Sequence, residues 1–275
     1  MHITFCGTGL PELNPKRACT GIVVQNDDVG IMLDCGPGTV QNAITSGVPL
    51  NQLRAVFFSH MHFDHILCVP ELLSKLLHSR FPIPSFYGPS GTRKYMASAL
   101  DFTRTAFGNI GGDLLQKKLE AVDVVETLPG DKRVVAGIHI QSEVVPHAEN
   151  LQAQARRFTM NGLSIIYSGD TASVPEIMVP LAQDADVLIH ECYTKAGLDA
   201  FLATKPARAD RMREAFKIVH CLLSDVARIA HEAGVNTLVL THLLPTESEN
   251  QIIAEAKETF GGKVVVAHDG LVLKV

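Results

Sequence analysis

Several features that would classify this chain at once are missing from it. Its six cysteines (Cys6, Cys19, Cys35, Cys68, Cys192 and Cys221) form no C-x-x-C pair, which argues against a thiolate zinc knuckle. No apolar run is long enough to span a bilayer, and no basic segment followed by an apolar one opens the chain. Positive charge is not in excess: the formal net charge of -5 gives no support for a basic nucleic-acid surface over the whole chain, although it leaves room for a local one. Neither a repeat of roughly 20–50 residues nor a linker divides the sequence. From these absences a cytoplasmic protein with no membrane partner is expected, its cysteines buried as free thiols in a reducing compartment.

What is present reads as one compact domain over residues 1–275. Hydrophobic residues make up 46% and charged residues 19%, ordinary for a globular chain. Short β-branched runs at 2–6, 21–25, 31–34, 55–59 and 84–87 read as strands, with helices expected over 39–46, 70–78 and 91–107. The second half repeats the style. Strands are expected over 122–127, 133–135, 138–145, 157–160, 164–168, 187–190, 237–240, 264–267 and 271–275, and helices over 174–182, 224–233 and 247–260. Asn161-Gly162 between two of the runs is a hairpin signal. Groups of strands followed by helices in both halves predict two sheets packed face to face with helices outside, an αββα sandwich whose shared edge carries the site.

The segment Ser59-His60-Met61-His62-Phe63-Asp64-His65 follows an apolar strand directly. In an extended stretch His60 and His62 project to one side, so two imidazoles can reach one metal. Asp64 and His65 lie past a bend and can reach a second. A hydrophobic core would use Leu or Val at such positions, because each buried imidazole needs its own hydrogen-bond partner. Four local ligands do not complete two metal sites. His147, Asp170 and His242 each follow a strand-like run after one or two residues, as His60 does, and they are the candidates for the remainder.

Taken in order, Gly7-Thr8-Gly9, Leu33-Asp34-Cys35-Gly36, the His-x-His-x-Asp-His motif at 60–65, His147, Ser168-Gly169-Asp170-Thr171 and Thr241-His242 resemble the metallo-β-lactamase superfamily over nearly the whole chain. His190-Glu191, with His220 placed before the helix at 224–233, makes it similar to the ribonuclease Z-like group. The resemblance implies that His60, His62 and His147 hold one metal, that Asp64, His65 and His242 hold the other, and that Asp170 bridges them. It further implies that His220 acts on the leaving oxygen or the scissile phosphate, supported by Glu191 and Asp64, and that the protein is a homodimer.

Two departures narrow the expectation. The arm with which ribonuclease Z clamps tRNA is expected between the positions of His147 and Asp170, and the interval here holds one hairpin at most. Leu222 stands where a Ser or Thr usually caps the following helix, so the cap is altered or moved to Ser224. Both point to the arm-less arylsulfatase-like branch and a small anionic ester substrate, a phosphodiester or aryl sulfate. A tRNA 3′-processing endonuclease is the alternative, and a lactam or thioester hydrolase stays open. Nitrogen and carboxylate ligands suit zinc, and also manganese or iron. Two such cations about 3.5–4 Å apart would share a hydroxide that attacks in line with the leaving group.

Among the remaining features, Asp34 is expected to orient the histidine loop through hydrogen bonds, and His190 to end a strand in the core. Thr8 and Gly9 form a loop within reach of a substrate. The basic stretch at 195–217 reads as a solvated helical insert or as a lid that attracts anions.

Overall fold

In the computed structural model, which describes residues 1–275, the chain forms two compact units. The first comprises Met1–Gly7, Ala18–Thr127 and Asp269–Val275. Its strands are β1 (His2–Gly7), β2 (Gly21–Gln25), β3 (Gly30–Leu33), β4 (Leu53–Phe57), β5 (Ser85–Gly88) and β6 (Val124–Glu126). With the chain's last strand, Val272–Lys274, they form a seven-stranded sheet in the order last strand–β1–β2–β3–β4–β5–β6. The pairings up to β2–β3 are antiparallel, and those from β3 to β6 are parallel. The parallel strands β3 and β4 are almost wholly buried, as strands covered on both faces must be.

Helices α1 (Thr39–Thr45), α3 (Val69–His78) and α4 (Thr92–Phe107) pack on one face of this sheet, and the four-residue α2 (Phe63–Ile66) precedes α3. Helix α3 shows how sequence makes the layer. Pro70 sits in its first turn, where a missing N–H costs nothing. Val69, Leu72, Leu73, Leu76 and Leu77 recur at helical spacing and are all buried. A further helix, α5 (Gly112–Glu120), lies between the helix expected over 91–107 and the strand expected over 122–127, in a stretch to which the sequence assigns no element. It buries Leu115 and Leu119 beside Leu77 and Phe107.

The second unit comprises Thr8–Arg17 and Leu128–His268. Its strands are β7 (Lys132–Val135), β8 (Ile138–Ala148), β9 (Leu151–Met160), β10 (Leu163–Tyr167), β11 (Val187–Glu191), β12 (Thr237–Thr241) and β13 (Lys263–Val266). They lie in sequence order across a second seven-stranded sheet. Here too antiparallel pairings, β7 to β10, give way to parallel ones, β10 to β13. Helices α6 (Pro175–Ala182), α9 (Leu223–Glu232) and α10 (Glu249–Lys257) cover Ile166, Leu188, Leu238, Leu240 and Val266. Between β11 and α9 the chain makes two more helices, α7 (Lys195–Ala203) and α8 (Ala209–Val219), so the helical insert expected at 195–217 is a helix pair.

The Asn161-Gly162 turn forms as read: Met160 pairs with Leu163, and both turn residues take positive φ, 52° and 81°, the type I′ requirement. The helix after His220 has an altered cap, the first of the two expectations, rather than one moved to Ser224. Leu222 is its N-cap with no side-chain hydrogen bond, and Ser224 lies inside the first turn. Instead of a capping hydroxyl, a backbone bridge between Tyr193 and Leu222 fixes the entry. No helix is long and apolar enough to cross a membrane. All six cysteines are free, and all but Cys19 are buried.

Candidate metal centre

In the first unit the site residues leave the carboxyl end of the parallel strand β4, where crevices form in α/β sheets. Asp34 organises them. Its backbone φ is 57°, a conformation that Asp tolerates better than most residues. Its Oδ1 accepts the Ser59 N–H at 2.6 Å, and its Oδ2 accepts the Ser59 hydroxyl and meets His65 Nδ1, both at 2.7 Å. A carboxylate on Nδ1 fixes the His65 tautomer and leaves Nε2 with its lone pair. Asp34 thus has the orienting role expected of it. Ser59 Oγ lies 3.0 Å from His60 Nδ1, and His60 Nε2 faces His62 Nδ1 at 3.0 Å. These two ring nitrogens converge as the alternation of an extended segment requires.

Asp64 and His65 stand in the single turn of α2, with His65 Nε2 3.4 Å from Asp64 Oδ2. His60 and His65 are fully buried, and Asp64 is 3% exposed. Gly36 makes this close packing achievable. A Cβ on it would lie 1.9 Å from the Asp64 carbonyl oxygen, so no larger residue fits without moving the turn.

In the second unit four strand ends and one helix end supply the residues. His147 is the penultimate residue of β8, inside the strand rather than after it as the sequence reading had it. Its Nδ1 donates to the Val219 carbonyl at 2.7 Å. Burial lowers its pKa from the ordinary 6.5, which favours the neutral imidazole that a metal needs. Asp170 follows β10 through Gly169, whose φ is 58°. Its Oδ2 lies 3.1 Å from His242 Nε2 and 3.8 Å from His147 Nε2. His242 follows β12 with φ 56°, an uncommon conformation for histidine that marks a constrained position.

Thr8 and Gly9 brace that position. The Thr8 carbonyl accepts the Leu243 N–H at 2.9 Å, and Gly9 bridges Leu243.

His220 closes α8, and its Nδ1 lies 3.1 Å from each oxygen of Glu191. Glu191 ends β11, is 2% exposed, and accepts the Thr171 N–H at 3.0 Å. One carboxylate therefore holds the imidazole from both oxygens and is itself held by the Asp170 loop. The His147, Asp170 and His220 ligand atoms all lie within 4.8 Å of one another. His190 is fully buried with Nδ1 against the Glu191 carbonyl at 2.6 Å, the core position expected of it. The Val219 carbonyl, the Thr171 N–H and Ser59 were not singled out from sequence. Backbone groups carry no residue signal, and Ser59 stood legible only as the neighbour of His60.

These residues fit divalent cations. Every donor is nitrogen or carboxylate oxygen, and the Nδ1 atoms of His65 and His147 are occupied, which presents Nε2 in each case.

The chain belongs to the beta-lactamase superfamily: the family model described as "Beta-lactamase superfamily domain" matches residues 30–243. The fold is the metallo-β-lactamase fold expected from the sequence, two mixed sheets with their helices, and the protein is a hydrolase of that superfamily. Among curated relatives, Ribonuclease Z from Mycolicibacterium paratuberculosis is 30% identical over 277 residues, covering 98% of this chain and 96% of the relative. Ribonuclease Z from Methanosarcina acetivorans is 28% identical over 322 residues, covering 100% and 98%. Among solved structures, the metallo-beta-lactamase fold protein YhfI from Bacillus subtilis superposes with a TM-score of 0.77 at 22% identity, over 99% of each chain.

Proposed function

We propose that this protein is a two-metal phosphodiesterase of the ribonuclease Z type, cutting RNA on the 3′ side of a tRNA precursor. The observation that carries this is similarity over almost the full length of relatives bearing that name, together with the Glu191–His220 pair. It prefers the reading that the sequence alone held second. The missing arm is compatible with it. The alignment to the Mycolicibacterium relative is barely longer than this chain and leaves no room for an arm-sized insertion, whereas the Methanosarcina alignment does.

In this reading His60, His62 and His147 hold one cation, Asp64, His65 and His242 the other, and Asp170 both; zinc suits the set. When bound, two such cations supply Lewis-acid stabilisation of the phosphoryl oxygens and activation of water. The chain's residues do the rest. Glu191 holds His220 Nδ1, so Nε2 carries the proton to the leaving oxygen as general acid. Thr171 holds Glu191 in turn, and Asp34 keeps His65 from rotating. The same reading expects a homodimer, for which sedimentation velocity is the check.

A small phosphodiester or aryl sulfate is the second reading. The observation favouring it is that β8 and β9 join through a tight turn, Ala148 pairing with Leu151. A panel of a tRNA precursor, bis-p-nitrophenyl phosphate and p-nitrophenyl sulfate, each with and without chelator, separates the two. Chelator-sensitive cleavage of the precursor supports the first. Turnover of the small esters alone sinks it.

A further inference from the structure

Helix α8 buries one side chain, Phe216, and its last turn is where it meets the candidate centre. The Val219 carbonyl holds His147, and the C-cap is His220. Residues four apart share a face of a helix, which brings Phe216 to His220. Their ring centroids are 4.9 Å apart at an interplanar angle of 43°, and the His220 N–H donates to the Phe216 carbonyl at 2.9 Å.

A histidine that passes a proton needs its ring fixed in two senses. Glu191 supplies the first by holding Nδ1 with both oxygens at 3.1 Å. A partner at one ring atom leaves the second open, because the torsion about Cβ–Cγ is broad for histidine. The ring can still roll and carry Nε2 out of line. Rings packed against it close that freedom. His147 at 5.5 Å and His242 at 5.7 Å are two of them, and both are proposed metal ligands. Phe216 carries no ligand atom, so packing is all that its side chain contributes.

Phe216 is itself held. It is 8% exposed. Tyr193 meets it edge-on at 5.5 Å and 86°, and Phe201 lies 6.5 Å away, separations at which aromatic pairs attract. Leu198, Leu202 and Leu244 belong to the same small core. Tyr193 follows Glu191 by two residues, and its N–H donates to the Cys221 carbonyl at 3.1 Å. The exit of β11 therefore carries both restraints on His220, Glu191 directly and Phe216 through Tyr193.

Resting on the reading of His220 as general acid, we propose that Phe216 is a positioning residue for it. The phenyl ring sets the roll that aims Nε2 at the leaving oxygen, while Glu191 sets the tautomer. The consequence is a dependence on leaving group. The alkoxide of a ribose leaves poorly without a proton, whereas p-nitrophenolate departs as the anion and gains little from an acid. Losing the Phe216 ring therefore weighs most on the poorer leaving group.

The test compares metal-loaded wild type with Phe216→Leu, Phe216→Tyr and Leu198→Ala, with metal content and thermal melting measured for each. kcat and KM are taken for a precursor RNA, diphenyl phosphate and bis-p-nitrophenyl phosphate. Phe216→Leu keeps an apolar side chain and removes the ring. It lowers kcat on the precursor about 10- to 100-fold, the cost of misplacing a reacting group, with KM and metal content as in wild type. Its loss on diphenyl phosphate is smaller, and on bis-p-nitrophenyl phosphate smallest. Phe216→Tyr keeps the ring and restores most of the rate. Leu198→Ala loosens the same core from α7, lowers the melting temperature and shows no such grading by leaving group. In metal-free protein, the His220 ring protons lose a ring-current shift in Phe216→Leu and keep it in Phe216→Tyr. Unchanged kcat in Phe216→Leu, an equal loss on all three substrates, or a tyrosine variant no better than the leucine one overturns the proposal. A wild-type protein that leaves the precursor intact overturns the RNA reading alone, and the contrast between the two aryl esters then decides the role of Phe216. Wild-type kinetics in His220→Ala overturns both the general acid and its brace.

Discussion

At the scale of single residues the candidate centre is organised by what lies behind the proposed ligands. Asp34 takes three hydrogen bonds, from the Ser59 backbone, the Ser59 hydroxyl and His65, and Glu191 does for His220 what Asp34 does for His65. The two histidines then differ in what they face. On the proposed assignment His65→Ala removes a donor from the ligand set, so it should lower metal content measured by mass spectrometry and cut turnover more than about 100-fold, beyond what loss of an outer partner alone costs. Full turnover with intact metal content in that variant contradicts the two-metal assignment. His220→Ala should keep the metal content and lower kcat by about 10²–10⁴, the range for a general acid. If its kinetics match wild type, His220 is only the end of a helix.

At the scale of elements, the strand-to-turn junctions set the geometry. The β3 exit and the α2 turn touch at Gly36, where an added Cβ would meet the Asp64 carbonyl at 1.9 Å. Gly36→Ala should therefore cost about 1–3 kcal/mol of stability, the range for overpacking, and lower metal affinity, as read by urea unfolding and metal titration. Stability equal to wild type would mean that the turn is softer than its packing implies.

The same junctions were the legible part of the sequence. His60 to His65 follow an apolar strand with no intervening turn, and Asp170 and His242 stand in the same relation to β10 and β12. What escaped had weaker local signals. Much of β9 is Gln-Ala-Gln-Ala-Arg, residues 152–156, with little β propensity of its own. Pairing with β8 from Val145 to His139 imposes the strand. Helix α5 buries only Leu115 and Leu119, too few positions to establish a period. Helix α9 carries no capping side chain because a backbone bridge does that work, and no residue type reports such a bridge.

At the scale of the molecule, burial of ionisable groups sets a window of pH. Burial lowers the His147 and His190 pKa values from 6.5. In metal-free protein the unfolded chain therefore binds more protons below that point, and stability falls as the pH drops through it. Burial raises the Cys6 thiol to about 12 and the Cys68 thiol to about 11, from 9.0. The folded state then holds protons that the unfolded state releases, and stability falls again as the pH rises above 9. Denaturant midpoints of the metal-free protein should show a plateau between these limits. A maximum outside it would mean that other groups dominate the linkage.

Family membership fixes the fold and the hydrolase class, and the substrate is what distinguishes the two proposed readings. The most direct measurement is single-turnover cleavage of an end-labelled tRNA precursor by zinc-loaded protein, with and without chelator and with the cut position mapped. A ribonuclease Z-type activity makes one chelator-sensitive cut that removes the 3′ extension from the tRNA body. An intact precursor, under conditions where the same protein turns over bis-p-nitrophenyl phosphate, would contradict it.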